Sequence, residues 1–340
     1  MKAIQILEPE KLKIIDMDMP KLDQVNNVLV KIKAVGLCGS DVGIYHGENA
    51  AATYPRVFGH EIVGEVVEIG PAAQKVKVGD RVIVDQVINC GRCWACRHDR
   101  PNVCSELHVR GVHVDGGMRE YMTVPDKDCY LLPEVLSDTE AVMIEPTTIA
   151  VQICSRAQVA EDDMVMIIGA GVLGKSILRI AKLLRPEKLI VVDVDDQKLK
   201  ECLEMGATDV INSHTEDLMT RSRELTGGYG PSVVMNAAFF KGSLLSACQI
   251  AGNAARVMVL GFSVAPDEIN QFVVTSKELD LRGSRLQNRK FQEVIDLINS
   301  GEINLRGSIS HTFHFLDAQK AFDFNDTRDP SIRKIAFTFD

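Results

Sequence analysis

The sequence predicts an α/β protein of two parts: a β-rich barrel domain whose chain is interrupted by a doubly wound parallel-sheet domain. Three stretches point to this. The first 90 residues carry short alternating or apolar runs, VLVKIKA at Val28–Ala34, EIVGEVVEI at Glu61–Ile69 and RVIVD at Arg81–Asp85, with Gly-rich breaks between them. From about Asp163 the texture changes to MVMII, LGKSILRIAKLL, KLIVVD, QKLKECLEMG, a short DVI, and later SVVMNAA and ARVMVLG. Strands alternating with helices in this way build a parallel sheet. From about Leu286 the tail holds one amphipathic helix, Phe291–Asn299, followed by strand-like HTFHF and KIAFTF, so its texture returns to that of the first region. We therefore expect residues 1–147 to form the barrel, 148–285 the parallel-sheet domain, and 286–340 to rejoin the barrel.

Composition narrows the function. At 340 residues, 46% apolar and 25% charged, the chain has material for about two globular domains. No run approaches the ~18 consecutive apolar residues of a membrane helix, and the first residues, MKAIQILEPEKLKIID, are charged throughout rather than built on an apolar signal core. A cytoplasmic protein with no membrane partner is expected. A net charge of −9, from 47 acidic against 38 basic residues, has the wrong sign for nucleic acid. Nine cysteines without a secretion signal point to metal or thiolate chemistry rather than disulfides.

Gly169-Ala170-Gly171-Val172-Leu173-Gly174 reads G-x-G-x-x-G, preceded by the apolar run Met164–Ile168 and followed by a helical pattern of Ile177, Leu178, Ile180, Ala181 and Leu184 that Arg185-Pro186 ends. In that context Gly169 makes the tight turn, Gly171 lets the backbone approach a pyrophosphate, and Gly174 allows close helix–strand packing; the helix N-terminus then holds the anion. Nineteen residues beyond Gly174, the next apolar strand ends in Asp193, where an acid binds ribose hydroxyls. A carboxylate there repels a 2′-phosphate, and Val194 follows where an NADP site would often place Arg. NAD is favoured. Asp196 is either a second ribose partner or the cap of the next helix.

Cys90, Cys93, Cys96 and Cys104 give C-x2-C-x2-C-x7-C within a polar loop, about residues 88–106, that cannot bury a core of its own. Four thiolates close a tetrahedral shell around Zn²⁺ and leave no position for substrate, so this is a structural zinc site. Trp94, the only tryptophan, is expected to pack within this lobe.

Three further places offer ligands at element boundaries: Cys38 in GLCGSD, His60-Glu61 in FGHEIVGE, and Glu145 in MIEPTT. Each alone has a structural explanation. Together, in a chain with a nicotinamide site, they offer sulfur, nitrogen and oxygen to a catalytic zinc with an open position, which polarises an alcohol and eases loss of its proton before hydride leaves.

The order GLCGSD, GHEIVGEVVEIG, GDRV, the four-Cys lobe, GG-x-x-EY, EP and G-x-G-x-x-G spans essentially the whole chain and resembles the zinc-dependent medium-chain alcohol and polyol dehydrogenases. The resemblance implies a GroES-like barrel and a Rossmann domain with a cleft between them, and dimers or tetramers. It also implies Cys38, His60 and either Glu61 or Glu145 around the catalytic zinc, as in sorbitol and threonine dehydrogenases. Two carboxylates beside one thiolate overcompensate the metal's charge, so both are not expected to be bound equally at all times. Ser40 is placed to receive the substrate's hydroxyl proton. The chain departs from the family at Gly43, where relatives often place a relay histidine; His46 is either a substitute or a surface residue. It departs again at Asn236 in MNAAF, where relatives often have Asp.

Within the family, Tyr54-Pro55-Arg56-Val57, Gly111-Val112-His113-Val114-Asp115-Gly116-Gly117 and Gly283-Ser284-Arg285-Leu286 resemble the bacterial sugar-acid 5-dehydrogenases acting on L-galactonate or L-gulonate, and a starvation-sensing dehydrogenase of that branch. A hexonate needs cations and donors for its carboxylate and hydroxyls; Arg56, His113 and Arg285, with Arg110 and Asn288, are the candidates. A neutral polyol or L-threonine is the alternative substrate, and an NAD-sensing regulator on a dehydrogenase scaffold the non-enzyme alternative, which the presence of Cys38, Ser40, His60, Glu61 and Glu145 argues against. Apolar strand candidates such as Phe272–Thr275 offer an edge for homo-oligomer pairing.

Overall fold

A computed structural model describes residues 1–261 and 266–339. It divides into two compact units, Met1–Glu145 with Phe291–Asp340, and Pro146–Lys290.

The first unit is built on a seven-stranded sheet. Cys129–Leu131, Arg81–Val84, Glu61–Ile69, Asn27–Gly36, Ile335–Thr338 and His311–His314 lie side by side in that order, and Tyr121–Pro125 also pairs with Asn27–Gly36. The alternation in VLVKIKA does what period two requires, since Val28, Val30, Ile32 and Ala34 are all fully buried. Register shifts between Leu29 and Val30 and between Ile32 and Ala34 bend this central strand, as bulges do where a sheet curls. A second sheet joins Lys11–Asp16, Lys2–Glu8 and Arg56–Val57. The tail belongs here because Ile335–Thr338 pairs antiparallel with Asn27–Gly36 and parallel with His311–His314. Phe291–Asn299 is the helix its periodicity predicts. A further helix, Ala318–Asp326, was not legible: it buries only Ala318, Ala321 and Phe322, too few apolar positions to stand out from a polar stretch.

The second unit is a six-stranded parallel sheet, ordered Asp209–Asn212, Lys188–Asp193, Met164–Ile168, Val233–Asn236, Arg256–Val259, Asp280–Gly283. In chain order this is 3-2-1-4-5-6, the doubly wound arrangement whose strand order reverses beside Met164–Ile168. MVMII and KLIVVD are nearly continuous apolar runs because helices cover both faces of such a sheet. One expectation is corrected. Phe272–Thr275 is not a strand but part of the helix Gln271–Thr275, capped by Asn270 Oδ1 accepting from the Phe272 N–H at 2.8 Å. Val273 and Val274 pack on the apolar core, so burial on one side overrides the β preference of these residues. The last strand of the sheet is Asp280–Gly283 instead. No helix among the described residues is long and apolar enough to cross a membrane.

Candidate active site

The sheet of the first unit assembles the site. Strand Asn27–Gly36 ends just before Cys38, which is the N-cap of the short helix Gly39–Tyr45, and Gly36 lies opposite Glu61 at the start of the neighbouring strand. This one register brings Cys38, His60 and Glu61 together, with their ligand atoms all within 4.8 Å of one another. Fully buried Asp41 fastens the two segments: its Oδ2 accepts from the Cys38 N–H at 3.0 Å and its Oδ1 from the Gly59 N–H at 3.2 Å. Oδ1 also lies 3.4 Å from His60 Nδ1. A carboxylate against one imidazole nitrogen leaves the other, Nε2, to face a metal; Ser40 Oγ stands 3.4 Å from that Nε2. Burial works against charge on His60, but the neighbouring Asp41 carboxylate and Cys38 side chain outweigh it and hold its pKa well above the ordinary value. The pocket is built for positive charge.

Glu61 shows the same fit to a cation. Its Oε1 accepts from Lys334 Nζ at 2.6 Å, whereas its Oε2 is buried with no hydrogen-bond partner among the described residues. A Cβ on Gly36 would stand 1.7 Å from that Oε2, so the missing side chain makes the space the carboxylate fills. A thiolate, an imidazole and a carboxylate with one bare oxygen suit Zn²⁺. Glu145, in the first turn of helix Ile144–Ala157, stands outside that three-residue set. Its Oε1 accepts from Gln86 Nε2 at 2.5 Å, and burial, with Glu61 adding to it, pushes its pKa up to about 8 against the pull of His60. Asp41, Gln86 and Lys334 are the site residues the sequence reading missed. His46 takes no relay place: its Nδ1 lies 2.6 Å from Glu10 Oε1 and its Nε2 3.2 Å from Asp326 Oδ1, a clasp between three surface segments.

The four-Cys lobe is a compact sulfur cage. All four thiols are within 4.8 Å of one another and none is in a disulfide. The Cys104–Cys90 and Cys93–Cys104 sulfur separations are 3.4 and 3.8 Å, against about 3.8 Å for the edge of a tetrahedron with Zn–S near 2.3 Å. Backbone N–H groups of Cys90, Cys93, Cys96 and Glu106 point at the sulfurs, which stabilises thiolates. The pairing of Val87–Ile88 with His108–Val109 closes the base of the lobe. Trp94 does not pack inside it: it is 66% exposed and stacks on His98, four residues on, with ring centroids 4.0 Å apart.

In the second unit each glycine of the turn has a visible reason. Gly169 has φ +101° and lies against Ala237, a Cβ on Gly174 would be 1.8 Å from Gly169 O, and a Cβ on Gly171 would meet nothing within 4 Å. Gly171 is also the N-cap of helix Val172–Leu183, so Val172 and Leu173 are the first residues of that helix. The turn also reads G-x-x-x-x-G-K-S, but Lys175 pairs with Glu201, and Ser176 Oγ donates to Val172 O at 2.8 Å. Neither is held out for a phosphate. Asp193 ends its strand with Oδ2 on the Ala170 N–H at 2.6 Å and Oδ1 on the Val194 and Asp195 N–H groups, while Val194 is 64% exposed. Asp196 is not the helix cap. Its Oδ1 accepts from Asn212 Nδ2 at 2.6 Å, and the helix is capped by Asp195. Asp193→Ala is expected to raise the KM for NAD about tenfold, the loss of roughly one charge-assisted hydrogen bond, and to shrink the NAD-over-NADP ratio of kcat/KM. An unchanged ratio in initial-rate measurements with both cofactors would remove Asp193 from the ribose site.

The substrate candidates are already partly engaged. Arg56 Nη1 donates to Asp115 Oδ1 at 3.0 Å and Nη2 to Thr53 Oγ1 at 2.6 Å. His113 Nδ1 accepts from the Val109 N–H at 3.0 Å. Loop 111–117 docks on the His60 segment, with Gly116 and Gly117 N–H on Val57 and Gly59 carbonyls. Arg110 is committed to the scaffold, donating to Asp85 O at 2.7 Å and Asp128 Oδ2 at 2.8 Å. Arg285 lies in the second unit, where burial lowers its pKa. Asn236 closes its own turn, on Ser243 Oγ at 3.0 Å and the Ala238 N–H at 3.3 Å.

Residues 24–134 match the alcohol dehydrogenase GroES-like domain, and residues 172–300 the zinc-binding dehydrogenase family. The chain is 39% identical to the starvation-sensing protein RspB of Escherichia coli K12, covering 100% of this chain and 99% of that protein. It is 29% identical to the L-idonate 5-dehydrogenase of Vitis vinifera, covering 94% and 90%. Among solved structures, the rspB alcohol dehydrogenase of E. coli CFT073, complexed with NADH, superposes with a TM-score of 0.92 at 39% identity over 99% of both chains.

Proposed function

The chain belongs to the zinc-containing medium-chain alcohol dehydrogenases, and from that premise we propose that it oxidises a secondary alcohol of a sugar acid, a hexonate such as L-gulonate or L-galactonate at C5, with NAD. The observation that supports the sugar acid is the guanidinium of Arg56, four residues before His60, fixed by Thr53 and Asp115 on the loop that docks beside the metal ligands. A planar cation fixed in this way suits a carboxylate. L-idonate, named for the grape relative, is of the same chemical class.

When bound, zinc would polarise the substrate hydroxyl and NAD would accept hydride from the carbon that bears it. Cys38, His60 and Glu61 would hold the metal, and Asp41 keeps the first two of these segments in register. Ser40 Oγ, 3.4 Å from His60 Nε2, receives the hydroxyl proton. A Cβ on Gly43 would meet nothing within 4 Å, so beyond Ser40 the proton passes to solvent or cofactor hydroxyls rather than to a histidine. The Gly169–Gly174 turn holds the pyrophosphate, and Asp193 the ribose.

A second reading has its own observation. Arg56 already faces Asp115 at 3.0 Å, which offsets its charge and favours a neutral polyol. NADH formation from L-gulonate, L-galactonate, L-idonate, sorbitol and L-threonine at equal concentration separates the two. Hexonates are expected to give kcat/KM at least about tenfold above sorbitol, the worth of one carboxylate contact of roughly 1.4 kcal/mol. Better turnover of sorbitol or threonine would discard the sugar acid and keep the chemistry.

A further inference from the structure

We propose that Gln86 is a positioning residue of the catalytic centre, holding the Glu145 carboxyl through its carboxamide. Gln86 is wholly buried, and its Nε2 donates to Glu145 Oε1 at 2.5 Å. Its own Oε1 is buried with no hydrogen-bond partner among the described residues. Among the described residues, Glu145 is therefore the partner that orients the carboxamide. A buried polar side chain with a single described partner is dedicated to that partner, because an unmade bond at the other end is costly.

The backbone is as firmly placed as the side chain. Gln86 O accepts from the Arg110 N–H at 3.0 Å, and the Arg110 guanidinium binds Asp85 O. Gln86 immediately precedes Val87–Ile88 and Arg110 immediately follows His108–Val109, the two strands that close the base of the four-Cys lobe. The lobe thus fixes the strand end from which Gln86 reaches Glu145. The four-Cys lobe and Glu145 are connected by one strand pair, one arginine and one carboxamide.

The chemistry of the two buried carboxylates differs accordingly. Glu61 is paired with a cation, Lys334, whereas Glu145 accepts from a neutral carboxamide. Outer carboxylates and their partners orient a metal's ligands, and removing one typically costs 10- to 100-fold in metal affinity or activity. This inference rests on Glu145 serving the catalytic metal, as the proposed function holds.

The test uses holoenzyme in which cobalt(II) replaces the catalytic zinc, comparing wild type, Gln86→Leu, Gln86→Glu and Glu145→Gln. The readouts are the visible cobalt spectrum, cobalt affinity by chelator competition, and kcat with the KM for NAD. Gln86→Leu is expected to keep the structural zinc and the KM for NAD, to shift the cobalt bands, and to lose about 10- to 100-fold in cobalt affinity and in kcat. Gln86→Glu, equal in size but without the N–H donor, is expected to move all three the same way, and it carries the test alone should Gln86→Leu not fold. Wild-type spectrum, affinity and kcat in the Gln86 variants, with Glu145→Gln altered in all three, would overturn the positioning role. Glu145→Gln unchanged in all three would show instead that Glu145 does not serve the metal, and the inference would fall with that reading.

Discussion

Cys38→Ser and His60→Ala are each expected to lower kcat by at least about 10³ and to reduce bound zinc from two ions per chain to one. Among the described residues each is one of three whose ligand atoms converge within 4.8 Å, and the four-Cys group is a separate cage, so the remaining ion should be the structural one. Lewis-acid polarisation supplies several kcal/mol of transition-state stabilisation, and each 1.36 kcal/mol is a factor of ten in rate; a loss of about 4 kcal/mol gives the stated effect. NADH affinity, followed by fluorescence titration, should stay within about twofold, because the Gly169–Gly174 turn and Asp193 lie in the other unit. Metal analysis beside the kinetics decides the outcome. Full turnover with one zinc per chain would sink the mechanism, whereas loss of both ions would show that Cys38 or His60 supports the fold of the whole first unit.

The ligands themselves were readable because each sits in a short local pattern: Cys38 at a helix N-cap, His60-Glu61 at the start of a strand, and four cysteines within fifteen residues of one another. The doubly wound unit was readable for a similar reason, since strands buried on both faces write continuous apolar runs. What was not readable is what acts across distance. Lys334 is 273 residues from Glu61, and a lysine at the edge of KIAFTF carries no sign that it points inward. Gln86 is one more polar residue after a strand until Glu145 is placed against it. Asp41 is the instructive middle case. Its position three after Cys38 is the capping-box spacing, yet its second bond, to the Gly59 N–H, exists only because strands Asn27–Gly36 and Glu61–Ile69 pair. The misread strand at Phe272–Thr275 and the unread helix at Ala318–Asp326 are short segments where packing on a neighbour, not local preference, sets the conformation.

Lys334→Met should cost the metal-free protein about 3–5 kcal/mol of stability, the effect of leaving one member of a buried ion pair uncompensated. The side chains of Lys334 and Glu61 are 3% and 0% exposed and 2.6 Å apart, so no solvent can take the place of the ammonium. Burial works against charge on Lys334, but Glu61 and Cys38 more than offset it and hold its pKa above the ordinary value. In the variant, the buried Glu61 carboxylate loses its ammonium partner. Adding Glu61→Gln to Lys334→Met removes the stranded charge and should recover most of the loss, since replacing both members of a buried pair is often close to neutral. Urea denaturation of the three metal-free proteins at pH 8 reads both effects. Lys334→Met as stable as wild type at pH 8 would show that the pair does not persist in solution. A double variant no better than Lys334→Met would place the stabilisation in the packing of the lysine stem rather than in its charge.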